Sequence, residues 1–107
     1  MTLIVPHHRT QQDAVAVVDR GANELFSGIG GGAVEIKEFK KSWTGSTMAF
    51  SFTGSMGFIS IPLSGTVAVD DSNITIQCEL PAMVKNFIGD EKVAGAIERK
   101  LTPLLAP

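Results

Sequence analysis

The spacing of apolar residues changes twice along this chain, and those changes constrain its fold more than any motif. Over residues 10–27 the apolar positions Val15, Val18, Ala22, Leu25 and Phe26 follow a 3.6-residue period, with Asp13, Arg20 and Glu24 largely off the stripe. That spacing gives a helix one apolar face. Thr10 stands at the N-cap, and Asp13 three residues on is an acidic relative of the capping-box glutamate. From residue 34 the period drops to two. Met48, Phe50 and Phe52 alternate with Thr47, Ala49, Ser51 and Thr53, and Ile59, Ile61, Leu63, Val67 and Val69 keep one parity. Ile74, Ile76, Cys78 and Leu80 then alternate with Thr75, Gln77 and Glu79. Such alternation marks strands buried on one side only. After Pro81 the helical period returns through Met83, Val84, Phe87 and Ile88. Beyond Gly89 and Asp90 it continues through Val93, Ala94, Ile97, Leu101 and Leu104. Pro103 is expected to end that helix near residue 102.

The connections fit the same reading. Thr2 to Val5 is a short strand that Pro6 ends or marks as an edge. The stretch GIGGGA at 28–33 fits G-x-G-x-x-A, a form of the dinucleotide-binding fingerprint. That fingerprint works after a strand and at the start of a helix, where the helix N-terminus faces a pyrophosphate. Here a helix precedes the glycines and a strand follows, so they read as a helix stop. Val34 and Ile36 share one parity while Phe39 and Trp43 share the other, which calls for a bulge near Lys37–Glu38. Turns are expected at Thr44-Gly45-Ser46, at Gly54-Ser55-Met56-Gly57 and at Asp70-Asp71-Ser72-Asn73. Pro62, with no N–H to give, should face an edge or a bulge, and Gly65 marks a bend. The element order is β-α-β-β-β-β-α. The simplest solution is one α+β domain over residues 1–107, a mostly antiparallel sheet with helices packed on one face.

Composition narrows the function. Nine Lys and Arg against eleven Asp and Glu leave a formal charge of −2, so no basic excess exists to neutralise nucleic-acid phosphates. With a single cysteine, Cys78, no internal disulfide forms. The opening MTLIVPHHRT lacks the charged n-region of a secretory signal, and no run reaches the roughly 20 apolar residues of a membrane span. The expected compartment is the cytoplasm.

Catalytic and metal chemistry find little footing. His7 and His8 are adjacent, so their side chains diverge on either a strand or a helix and read as a polar connection. Cys78 lies among apolar neighbours of a strand, a setting for a small core side chain and not for an exposed thiolate. No G-x-S-x-G elbow occurs. Asp70-Asp71 reads as turn chemistry, short of the oxygen ligands a calcium loop needs. No cofactor and no metal is expected.

An I-V-P-H stretch before a capped helix is followed by W-T-G at 43–45, M-A-F at 48–50, S-G-T-V-A-V at 64–69 and I-T-I-Q-C-E-L-P at 74–81. In that order these pieces resemble the family of small polyhydroxyalkanoic acid system proteins, described as granule-region proteins. The resemblance spans about residues 3 to 101. It departs at 54–65, longer than the family's usual link, and at the glycines of 28–32. It implies a gene setting shared with making or using the bacterial storage polyester, and no catalytic residues come with it.

A polymerase of that polyester needs an activated cysteine and a depolymerase a serine elbow, so the expectation is a non-enzymatic accessory protein acting at the granule surface or on a granule protein. The expected contact is the apolar stripe of the C-terminal segment: Met83, Phe87, Ile88, Val93, Ile97 and Leu101. The alternatives are a soluble carrier of a small apolar ligand such as an acyl chain, held in a cavity lined by Trp43, Met48, Phe50 and Phe52, and a homo-oligomeric scaffold.

Overall fold

The computed structural model describes residues 1–26, 34–82 and 89–105. Its elements are β1 (Thr2–Pro6), α1 (Gln11–Leu25), β2 (Glu35–Thr44), β3 (Thr47–Met56), β4 (Ile59–Val69), β5 (Asn73–Glu79) and α2 (Asp90–Leu105). The strands form one sheet in the order β1-β5-β4-β3-β2, with every neighbouring pair antiparallel. This is the expected α+β arrangement. The residues of the expected glycine turn, from 28 to 33, lie outside the described residues, as do Met83, Val84, Phe87 and Ile88.

One face of the sheet is apolar because the register lines up the inward parity of each strand. Leu3, Ile76, Val67, Met48 and Trp43 form one such row across all five strands. Ala14, Val17, Val18, Ala22 and Leu25 of α1 and Val93, Ile97, Leu101 and Leu105 of α2 join this face in a single core. Thr10 caps α1 as expected, its hydroxyl accepting from the Asp13 N–H at 3.1 Å. The two helices approach closely at Gly21, where a Cβ would lie 2.5 Å from Leu104 Cδ1. Arg9 ties their ends: it donates to Asp13 Oδ2 at 2.7 Å and, through Nε, to the Leu105 carbonyl at 3.1 Å. A cation at the carbonyl end of a helix complements its dipole.

At the end of α1 the Phe26 ring sits 4.4 Å from the Phe50 ring centroid, 5.2 Å from Phe52 and 6.1 Å from Phe39. The Phe39 ring reaches this cluster only because β2 carries a bulge. Its register with β3 shifts between Lys37 and Lys40, and Glu38 takes a left-handed backbone with φ of 56°. An extra residue there flips the parity, so that Ile36 and Phe39 both face inward.

Both outer hairpins of the β2–β3–β4 meander are two-residue turns. Thr44 pairs with Thr47 and Met56 with Ile59, leaving Gly45-Ser46 and Gly57-Phe58 as the loops. Gly45 has φ of 60° and Gly57 of 59°, the left-handed first position that a type II′ turn requires. The second turn is therefore later than the expected Gly54–Gly57. Gly54 stays inside β3, opposite Ile61 and Ile36, because only Gly57 is placed to supply the positive φ. Pro62 lies on the stretch of β4, Ile59 to Leu63, that β5 does not reach, since their pairing begins at Ser64.

The helix expected to stop near residue 102 runs instead to Leu105, with Pro103 inside it. A proline so close to the end removes only one late hydrogen bond. Leu105 is buried and Leu104 rests at Gly21, so packing holds the last turn in place.

Candidate functional site

The apolar stripe of α2 is used inside the molecule. Val93 and Ile97 are each 1% exposed and Leu101 is fully buried, so these three present no surface to a partner. Their expected role as an exposed contact is corrected by this placement. Periodicity shows that a helix has an apolar face but not whether the sheet beneath already covers it. Met83, Phe87 and Ile88, the other half of that expectation, lie outside the described residues.

The four residues expected to line a cavity come together, but around a side chain and not around a space. Met48, Phe50 and Phe52 are buried, and the Phe26 ring occupies the volume above the two phenylalanines. Trp43 lies at the edge of this face, half-buried, its indole N–H donating to Asp19 Oδ1 at 2.8 Å. Lys41 reaches the same carboxylate at 2.9 Å. These contacts from Lys41 and Trp43 hold the Asp19 carboxyl below the usual carboxylate range and fasten α1 to β2.

Side chains with chemical potential are similarly committed. Cys78 is buried and burial pushes its thiol pKa up, the reverse of what a nucleophile needs. His7 is buried, with Nε2 2.8 Å from the Asp70 carbonyl and Nδ1 accepting from the Arg9 N–H at 3.3 Å. This pattern assigns the ring proton to Nε2. Asp70 Oδ1 accepts from the Ser72 and Asn73 N–H groups at 2.7 and 2.5 Å, which lowers its pKa and closes the β4–β5 turn. Among the described residues, no three His, Cys, Asp or Glu side chains gather where they could share a metal ion. No helix of the described residues is long and apolar enough to cross a membrane.

The period-two reading left the opposite side of the sheet without a role. The outward parity of β3 and β4 is Ala49, Ser51, Thr53 and Ser55 beside Ser60, Pro62, Ser64, Thr66 and Ala68. Two open depressions lie along this side. One, of about 490 Å³, runs between Thr2, Gln77, Glu79, Ser64 and Thr66. The other, of about 340 Å³, lies between Lys40, Ser51, Thr53, Pro62 and Ser64. At the tip of the β3–β4 hairpin Phe58 is completely exposed, at 108%, with Ile59 at 37% beside it. A sequence signal for this region exists: residues 42–69 contain no Asp, Glu, Lys, Arg or His.

Comparison with known proteins agrees with the sequence resemblance. The family model described as "Putative polyhydroxyalkanoic acid system protein (PHA_gran_rgn)" matches residues 1–105. No curated protein and no solved structure matches the chain. The chain belongs to this polyhydroxyalkanoic acid system family.

Proposed function

We propose that this member of the polyhydroxyalkanoic acid system family is a non-enzymatic accessory protein of polyhydroxyalkanoate metabolism, acting in the cytoplasm at the storage-granule surface or on a granule protein. What supports the reading beyond family membership is how the reactive side chains are spent. The Cys78 thiol is buried and shifted away from the thiolate, both ring nitrogens of His7 engage backbone groups, and the Asp70 carboxylate closes a turn. Covalent turnover of a polyester needs a nucleophile beside a base, in reach of substrate. Side chains so engaged favour adsorption or partner binding over turnover.

The test is co-sedimentation of the purified chain with native, protein-bearing polyhydroxyalkanoate granules, alongside assays for polymer synthesis and release by the chain alone. Binding without turnover is the expected result. Release of hydroxyacid by the chain alone, or a chain that stays in the supernatant, overturns the reading.

A further inference from the structure

The apolar surface left exposed on the described residues is concentrated differently from the expected helical stripe. We propose that the β3–β4 hairpin is the docking element, and that its occupant is the solid aliphatic polyester itself, entered by Phe58 with Ile59 at its side. This rests on the granule reading above and gives it a surface and a ligand chemistry.

Three observations carry the proposal. First, Phe58 sits on a two-residue turn, in contact with no core side chain, where a fully solvated aromatic ring contributes nothing to the fold. Burying such a ring in an apolar phase is favourable and needs no rearrangement of the protein. Second, the hairpin extends past its neighbour. β5 pairs with β4 only from Ser64, so the segment from Met56 to Leu63 projects beyond it, on a molecule 42 Å long and 23 by 19 Å across.

Third, the hairpin carries no charge, and this selects the occupant. Residues 42–69 hold no ionisable side chain. The charges of β2 lie alongside and not on it: Glu35 and Lys37, opposite Ser55 and Thr53, pair with each other at 3.8 Å, Glu38 accepts from the Thr53 hydroxyl at 3.4 Å, and Lys40 stands opposite Ser51. A surface that recognises phospholipid headgroups is ordinarily rich in Lys and Arg on its polar side. Here the polar side is hydroxyl: Ser51 and Ser55 on β3, with Ser60, Ser64 and Thr66 on β4. An aliphatic polyester presents ester carbonyls, which accept hydrogen bonds, and offers no donor in return. Hydroxyls donate readily to such acceptors, and the tip from Met56 to Leu63 brings no charge of its own to the contact. A second copy of the chain fits less well, because a stable dimer needs about 800 Å² from each partner and two exposed apolar side chains at one tip do not supply it.

The experiment uses the full chain with protein-stripped polyester particles, vesicles of phosphatidylcholine with phosphatidylglycerol, and native granules. Three variants accompany it: Phe58→Ser, Ser60→Asp, and Ile4→Ser. Ile4 is another exposed apolar side chain, 60% exposed, on the edge strand β1. Thermal melting confirms that each variant is folded. The expected result is binding to stripped polyester and not to vesicles, weakened about tenfold or more by Phe58→Ser, as burial of one Phe side chain implies. Ser60→Asp weakens it as well, and Ile4→Ser leaves it unchanged.

Binding to native granules but not to stripped polyester overturns this inference while leaving the accessory reading intact. Failure on both surfaces overturns both. Equal binding by the wild type and Phe58→Ser, or equal losses from Phe58→Ser and Ile4→Ser, removes the hairpin from the mechanism. Binding to vesicles as tight as to polyester, or a concentration-dependent mass that Phe58→Ser abolishes, replaces the polyester with a membrane or a second copy.

Discussion

Glycine-to-alanine substitution at residue 65 tests the sheet geometry most directly. β4 passes between β3 and β5 there, and Gly65 pairs with Phe50 on one side and Cys78 on the other. A Cβ at this position would overlap the Gln77 carbonyl oxygen and lie 2.9 Å from Phe50 Cζ and 3.0 Å from Cys78 Cα. Two of those three atoms are backbone in a paired strand, so neither can step aside without breaking the ladder. Overpacking a well-packed site costs about 1–3 kcal/mol, and with backbone as the obstacle the upper part of that range, about 2–3 kcal/mol, applies. An unfolding entropy of about 2.1 cal/mol/K per residue gives about 0.22 kcal/mol/K for 107 residues, so Tm should fall by about 9–13 °C. The assay is thermal unfolding of Gly65→Ala beside Gly95→Ala. In α2 a Cβ at residue 95 meets nothing within 4 Å, and that variant should gain about 0.5–1 kcal/mol from helix propensity and lost unfolded-state freedom. Adding Phe50→Leu to Gly65→Ala should rescue little, because the ring is the movable one of the three obstacles. A Gly65→Ala protein melting within a few degrees of the wild type would refute the reasoning, since the strands would then have room that their packing denies.

Further outcomes follow from the local geometry. The carboxyls of Asp19 and Asp70 are both held below their unfolded pKa, so their stabilising contribution is present above the ordinary carboxylate range and is lost as pH falls through the lowered folded values. Asp19→Asn should therefore lower the urea midpoint at pH 7 and flatten its decline below pH about 4. Glu38→Gly removes a left-handed non-glycine residue from the β2 bulge, and should leave stability unchanged or raise it by up to about 1 kcal/mol, the αL cost less the extra entropy of glycine. Alkylation of Cys78 by iodoacetamide should be slow in the folded chain and fast in urea, because burial both shields the thiol and raises its pKa. Rapid labelling under native conditions would contradict the buried placement.

The elements legible in the sequence are those in which one rule dominates. Alternating parity located β3, β4 and β5, and the parity change between Ile36 and Phe39 located the bulge that the Glu38 backbone shows. Thr10 was legible as a cap because a hydroxyl before an apolar helical run has few other uses. Where two rules compete the reading failed. Gly54 and Gly57 both offer a turn, and only pairing with β4 decides between them. Pro103 speaks for a helix end, while burial of Leu105 speaks against it, and packing prevailed. The Cys78 environment was legible from its apolar neighbours, but the close fit of Gly65 between Phe50 and Cys78 was not, since it depends on which strands become neighbours.

The same competition explains why Val93, Ile97 and Leu101, expected as a contact surface, are buried instead. Hydrophobic periodicity registers residues that share a face, and a side chain on a shared face finds neighbours to pack with. In a sheet covered by two helices, the more regular an apolar stripe is, the more completely the core consumes it; Val93, Ile97 and Leu101 show this. An apolar residue that stands outside the periodic pattern escapes that consumption. Phe58 does so, because it occupies the second position of a two-residue turn and belongs to neither face of the hairpin. A turn ordinarily favours Gly, Asn, Asp or Ser for conformational reasons, so a phenylalanine there satisfies no local need. Folding gains nothing from a ring that is as exposed in the native chain as in the unfolded one. On the proposal made above, a contact outside the chain supplies what folding does not, and the uncharged strands behind Phe58 suit an apolar solid.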